Sequence, residues 1–409
     1  MLRHPSTWLC LLLGLFLTVV QVALAVGFAH PAGSLRDRYL TLIQHDSYWF
    51  ANIIDRGYGT TVPPIDHKEM EVSNVAFFPA YPLLAYGVKK ITGLGTYPAL
   101  LLTAQAATWG FWSYFFLFCG RWELSPVLQA FGALTIVAHP AAFYFVAGYS
   151  ESLFLMSLVG FIYWSTSERR GAKWLAALHG FSMSATRIVG LPCAAFPVIQ
   201  AFFKNGLGLR WKLRDWWLAF RWPVLVMLAS MLGGLAFFAY CQVRWGRWDL
   251  YMLTQAAGWS IAADYLAALK PANFNFALPS IHEPTRASQF TSAIAGLLFV
   301  AIALLELIAA LRRRNGDWRK RIGIYFAAVV IYYVSVAGVA SVQLESMLRY
   351  DLCVHGLVVL GLLHFLRKFR LPPVLVRAFA MGLAALACAA GIGLQGFYVW
   401  NFTQGNWVA

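Results

Sequence analysis

The chain is built around apolar runs of about 17–25 residues, the length that carries a helix across roughly 30 Å of hydrocarbon. They fall near residues 8–28, 97–118, 127–148, 151–167, 219–241, 289–311, 323–342, 352–366 and 374–398. A longer run near 174–203 is interrupted by Arg187, which predicts two helices forming a hairpin. The expected fold is an all-α polytopic membrane protein, a bundle of about eleven transmembrane helices. Charged residues make up only 12% of the chain and apolar ones 60%, against about a quarter charged in a soluble domain. That balance excludes a large soluble enzyme and a disordered chain, and it favours a single integral membrane domain over residues 1–409.

Charge placement supplies the topology. The net charge of +15 comes from 32 Lys and Arg against 17 Asp and Glu, and the basic residues cluster between the apolar runs. Arg3, Arg121, the group Arg169, Arg170 and Lys173, and the group Lys204, Arg210, Lys212, Arg214 and Arg221 are followed by Arg312 to Arg314, by Arg319, Lys320 and Arg321, and by Arg367, Lys368, Arg370 and Arg377. Short basic loops of this kind mark the cytoplasmic side, so no nucleic-acid partner is implied. Parity then leaves roughly 30–96, 242–288 and 343–351 outside. Within the first of these, Ala76 to Lys90 is apolar but short and contains Pro79 and Pro82, which reads as a juxtamembrane or re-entrant helix. The six cysteines, Cys10, Cys119, Cys193, Cys241, Cys353 and Cys388, lie in apolar surroundings without C-x-x-C or zinc-like spacing and read as small buried hydrophobes.

The first external loop carries the most chemistry. Ser34 and Asp37 form a capping-box pattern and Gly57 a stop signal, so one amphipathic helix is expected between them. Leu40, Ile43, Phe50 and Ile54 recur at helical spacing, placing the helix along the outer membrane surface with Tyr48 and Trp49 at headgroup depth. Asp46 is thereby held at the interface, where a carboxylate can accept a proton from a sugar hydroxyl; an ordinary solvated acid is the alternative.

Elsewhere, Glu151 follows Ser150 at the start of a span and fits either a sugar or cation contact or a dipole-stabilised helix start. Arg187 interrupts an apolar run and needs a partner, a lipid phosphate or an ion pair with Glu151. Arg349 lies in a short external segment and is a second phosphate candidate. Phe77, Phe78 and Tyr81 can line a prenyl groove or a sugar platform, or simply pack. Glu306 sits near Arg312, close enough to the membrane edge to snorkel or pair. His139 and His179 read as core histidines.

Four segments in order carry a resemblance to a known family. H45-D-S-Y-W-F-A-N-I-I-D-R-G-Y58, A76-F-F-P-A-Y-P-L-L84, P140-A-A-F-Y-F-V-A-G-Y-S-E-S-L-F154 and A185-T-R-I-V-G190 resemble motifs of PIG-V-type mannosyltransferases. Met347-Leu348-Arg349-Tyr350 is similar to a late motif of the same family. Two departures stand out: His45 replaces a Trp, and Ile188-Val189 replace Ser-Asn.

The resemblance implies a GT-C fold in which a carboxylate of the first external loop, here Asp46, is catalytic. It further implies that Arg187 and Arg349 hold the donor phosphate and that His45, Tyr81, Tyr149 and Glu151 contact substrate. The implied partners are a polyprenyl-phosphate-linked sugar donor, a glycolipid or glycan acceptor, and membrane lipid. No cofactor is expected, and a divalent cation is left open. The expected location is a bacterial inner membrane with the site facing outward. The rival reading is a transporter or lipid flippase whose path is marked by Arg187, Glu151 and Glu306, although the matching broken-helix repeats such a protein would carry are not seen.

Overall fold

The computed structural model describes residues 7–31, 33–59, 73–205, 213–312, 316–367 and 374–408. Arg3, Arg210, Lys212, Arg313, Arg314, Lys368, Arg370 and the Arg377 side chain lie outside the described residues. The helices run in the order α1 (Thr7–Phe28), α2 (Leu35–Leu40), α3 (Asp46–Arg56), α4 (Ala80–Thr92), α5 (Thr96–Arg121), α6 (Pro126–Val137), α7 (Glu151–Ser165) and α8 (Ala172–Thr186). They continue with α9 (Gly190–Cys193), α10 (Phe196–Asn205), α11 (Leu213–Trp245), α12 (Leu250–Trp259), α13 (Pro284–Arg312), α14 (Ile322–Val339), α15 (Met347–Leu366) and α16 (Val374–Thr403). Short 3-10 turns join several of them, and no strand occurs among the described residues.

Among these, six helices are long and apolar enough to cross a bilayer unaided: α1, α11, α13, α14, α15 and α16. The other expected runs fall on α5, on the shorter α6, α7 and α8 and on the broken run around Arg187, for local reasons. In α5, Thr103, Gln105 and Thr108 lower the hydropathy of an otherwise spanning helix. The runs at α6, α7 and α8 give helices of 12, 15 and 15 residues, about 18–23 Å long at 1.5 Å per residue.

At α6 the shortfall is made up by irregular backbone. Pro140 disfavours helical geometry at His139 and removes a donor, so the helix stops at Val137. The expected span over 127–148 is thus a short helix followed by a buried coil. Coil at this depth needs other groups to satisfy its backbone. Thr108 Oγ1 donates to the Phe145 carbonyl at 2.6 Å, Ser47 Oγ to Gly148 at 3.0 Å, and Gln395 Nε2 to His139 at 3.0 Å.

Pro79 caps α4 and Pro82 sits in its first turn, where a missing N–H costs nothing, so they open the helix instead of breaking it. Its 13 residues reach about 20 Å, too short for a full crossing. Helices α7, α8 and α11 pack side by side through small residues. A Cβ at Gly233 would lie 2.1 Å from the Phe181 carbonyl oxygen, so only glycine allows that approach.

The break at Arg187 is present: α8 ends at Thr186, Arg187 is extended, and the chain resumes helical turns at Gly190. The single helix expected between Ser34 and Gly57 is not. The Ser34–Asp37 capping box forms and Gly57 ends the second piece at φ 77°, but the chain leaves the helix after Leu40 and restarts at Asp46. His45 makes the turn with φ 48°. The apolar face is also covered by protein instead of lipid. Trp49 packs on Phe77 and Trp259 at ring separations of 5.8 and 5.4 Å, and Phe50 packs on Tyr81 at 4.9 Å. An apolar stripe records that something covers it, and protein and lipid leave the same record. The six cysteines are free and buried.

Candidate active site

Four charged side chains from four separate elements converge at one end of the bundle. Asp46 and Glu151 are the first residues of α3 and α7, where the helix dipole favours a carboxylate. Arg187 occupies the break after α8, and Arg349 lies in the first turn of α15. The external loop expected around Arg349 is therefore shorter than 343–351: left-handed backbone at Gln343, Leu344 and Ser346 turns the chain so that α15 starts at Met347.

Arg349 Nη1 donates to Asp46 Oδ2 and lies 3.8 Å from Glu151 Oε1. Arg187 Nη1 donates to the same Glu151 oxygen at 2.6 Å. The chain of contacts runs Asp46, Arg349, Glu151, Arg187, and its formal charges cancel. Side-chain exposure separates the roles these groups can play: Asp46 keeps 15% and Arg187 13%, whereas Glu151 keeps 1%. The first two can meet a ligand, and Glu151 sits beneath them as a counter-charge.

Aromatic rings frame the arginines. Tyr149, Tyr350 and Trp407 have their centroids 5.4, 5.7 and 5.7 Å from the Arg349 guanidinium carbon, and Tyr350 also lies 4.6 Å from that of Arg187. Such faces stabilise a cation without consuming its N–H donors. Arg349 Nη2 donates to Ser346 Oγ at 3.0 Å. Arg349 Nε, the Tyr149 hydroxyl and Glu151 Oε2 are buried with no hydrogen-bond partner among the described residues. Buried polar groups are ordinarily paired, so unspent donors and acceptors are concentrated here.

His45, next to Asp46, is locked in place. Its Nε2–H donates to the Asn406 carbonyl at 3.2 Å, and its ring meets Trp407 at 4.9 Å and Phe402 at 5.8 Å. Burial holds its pKa below the usual imidazole value against the opposing pull of the Asn406 carbonyl and Asp46, which keeps it neutral at pH 7. Tyr81 is the sequence-selected residue that the structure directs elsewhere. It is fully buried, its hydroxyl donates to the Leu100 carbonyl at 2.9 Å, and it serves packing.

Tyr350 and Trp407 were not singled out from sequence. Tyr350 adjoins Arg349 in a quoted motif, but nothing in the order of residues ties 407 to 46. Among the described residues no group of three or more His, Cys, Asp or Glu is gathered as for a metal ion. His179 bonds the Tyr114 hydroxyl at 2.6 Å and the His139 ring lies 4.8 Å from that of His355, as packed histidines do. A cavity of about 560 Å³ lined by Arg121, Tyr163 and Arg169 lies at the opposite end of α7 and shares no residue with the charged cluster.

This architecture recurs in known structures. The oligosaccharyltransferase AglB from Archaeoglobus fulgidus, determined with an inhibitory peptide and a dolichol-phosphate, matches over 94% of this chain with a TM-score of 0.52 and 11% identity. ArnT from Cupriavidus metallidurans, bound to undecaprenyl phosphate, matches over 99% of the chain with a TM-score of 0.53 and 12% identity. The chain spans 55% of AglB and 77% of ArnT. At these identities the likeness defines the fold alone: an all-α polytopic membrane bundle of the kind seen in AglB and ArnT. No family model matches the sequence, and no curated protein sequence matches it.

Proposed function

We propose that the protein is a membrane glycosyltransferase that moves a hexose from a polyprenyl-phosphate carrier to a glycolipid or glycan acceptor on the external face. The observation that carries this reading is the Asp46–Arg349–Glu151–Arg187 cluster, which sets a reachable carboxylate beside two arginines in a fold shared with AglB and ArnT. Mannose is the sugar favoured by the PIG-V-type motifs, and the acceptor class and outward-facing site follow from the same resemblance and from the basic-loop parity. A bacterial inner membrane fits the short loops.

The chemistry follows from the charges. A lipid phosphate entering the site competes for the guanidinium groups of Arg187 and Arg349, whose planar forks match its oxygens. Asp46, released from Arg349, accepts the proton of the acceptor hydroxyl. The hydroxyl oxygen bonds to the anomeric carbon as the bond from that carbon to the phosphate oxygen breaks. The departing polyprenyl phosphate keeps the electron pair, and its added charge rests on the two arginines. Glu151, buried below, holds those arginines in position.

The test is transfer of labelled sugar by purified protein in detergent, offered polyprenyl-phosphate mannose, polyprenyl-phosphate glucose and nucleotide sugars in parallel. Transfer from a lipid-linked donor is expected, with mannose preferred. Use of the nucleotide sugars alone, or movement of lipid without transfer, would replace this reading with another.

A further inference from the structure

Beyond α16 the chain turns at Gly405, where φ is 86°, and is pinned against the segment that carries Asp46. The Asn406 carbonyl accepts the His45 hydrogen bond, Thr285 Oγ1 on α13 donates to the Trp407 carbonyl at 2.9 Å, and Val408 is completely buried. Trp407 is thus fixed by its backbone and by both neighbours. Its ring touches His45 on one side and faces the Arg349 guanidinium at 5.7 Å.

The indole N–H is what the fold does not use. Trp407 Nε1 is buried and has no acceptor among the described residues, and the same holds for Arg349 Nε. Buried indole N–H groups normally find a partner. Here both members of a ring–guanidinium contact carry an N–H donor left without an acceptor among the described residues, and a single kind of ligand completes both: an anion with several oxygens.

We infer that Trp407 is a substrate-contacting residue, its Nε1–H donating to an oxygen of the phosphate-bearing lipid that Arg349 holds. The inference rests on the functional reading above and adds a residue that none of the motifs contains. A tryptophan that only packs over His45 and Arg349 is the competing explanation, and it makes different predictions.

Trp407→Phe keeps a ring in place and removes the N–H. The probe is undecaprenyl phosphate titrated into purified protein in detergent, with binding followed by thermal stabilisation and donor kinetics measured alongside. Trp407→Phe is expected to weaken binding about tenfold, as loss of a hydrogen bond to a charged acceptor does. The donor KM should rise by a similar factor while kcat stays within about twofold. Trp407→His, which restores an N–H on a smaller ring, should recover part of the loss. Trp400→Phe, on the exposed face of α16, should change nothing.

Parental binding and KM in Trp407→Phe would overturn the inference while leaving the functional reading intact, provided Arg349→Lys impairs both. If Trp407→Phe lowers the melting temperature, the histidine variant decides: no recovery of binding means that the ring only packs. If the parental protein neither binds undecaprenyl phosphate nor transfers sugar from any lipid carrier, the functional reading falls and this assignment with it.

Discussion

A buried arginine–carboxylate group adjoins each end of helix α15, one holding Arg349 and the other contacting His364, about 22 Å apart along its axis, and their carboxylates are used differently. Near its C-terminal end, Arg321 donates to Glu306 Oε2 at 2.9 Å, the Tyr325 hydroxyl donates to Oε1 at 3.3 Å, and His364 contacts the same arginine. Both oxygens of Glu306 are occupied, so of the two readings, snorkelling or pairing, the structure shows pairing, with Arg321 as the partner. At the other end Glu151 offers a single oxygen to two arginines and leaves its second oxygen unpartnered. A group whose acceptors are all spent can only hold helices together. Among the described residues Arg321 Nε is unpartnered just as Arg349 Nε is, so the ends differ in their carboxylates: Glu151 keeps an acceptor that can be exchanged for a ligand.

The largest effect that tests this contrast is on turnover. Asp46→Asn should lower sugar transfer by 10²–10⁴-fold, the usual loss on removing a general base. Glu306→Gln should leave transfer per folded molecule within about twofold. Equal losses from the two would erase the distinction between the ends.

Stability should sort them in another way. Removing one charge from a buried pair costs about 3–5 kcal/mol, and Glu306→Gln should approach that value in detergent-based unfolding. Glu151→Gln should cost at least as much, because two arginines lose their shared counter-charge. A cost below that of Glu306→Gln would mean that other groups neutralise Arg187 and Arg349.

A smaller effect should appear with pH. Burial keeps the folded-state pKa of His45 below its unfolded value, which is about 6.5. As pH falls through that value the unfolded chain binds a proton that the folded chain refuses, so the folded state loses stability on acidification. His45→Gln removes this contribution, and its melting temperature should decline less than the parent's between pH 7 and 5. A steeper decline would mean that His45 is charged in the folded protein.

Smallest of all is the change at Asp55, which bonds Lys89 and Thr96 at 2.7 Å on the exposed face of α3. Exposed pairs contribute about 0.2–1 kcal/mol, and Asp55→Asn should retain transfer activity. Loss of transfer in this variant with activity preserved in Asp46→Asn would move the base to the other end of the helix.

The convergence of Asp46, Glu151, Arg187 and Arg349 was legible in outline, because basic-loop parity placed Asp46 and Arg349 in external segments and the arginine interrupting an apolar run called for a partner such as Glu151. Helix breaks announced by an intramembrane charge, as at Arg187, could also be read. What escaped were features set by contacts distant in sequence. The turn at His45 is held by Asn406 and Trp407, the lid over Trp49 comes partly from Trp259, and the coil after Val137 depends on Thr108 and Gln395. Local periodicity cannot encode partners that lie 37 to 361 residues away. The pairing of Asp46 with Arg349 escaped for the same reason.

The coil between α6 and α7 also orders events during biosynthesis. Its carbonyls at Val137 and His139 are met by Gln395, which lies 258 and 256 residues further along the chain. Until the ribosome has delivered α16 to the membrane, this stretch has exposed acceptors at a depth where water is scarce. The nascent protein must therefore keep that region hydrated, shielded by an insertion partner or outside the bilayer until the final helix arrives. An arrest of translation before residue 395 should leave Val137 to His139 open to a membrane-impermeant probe, and release should close them in a late step.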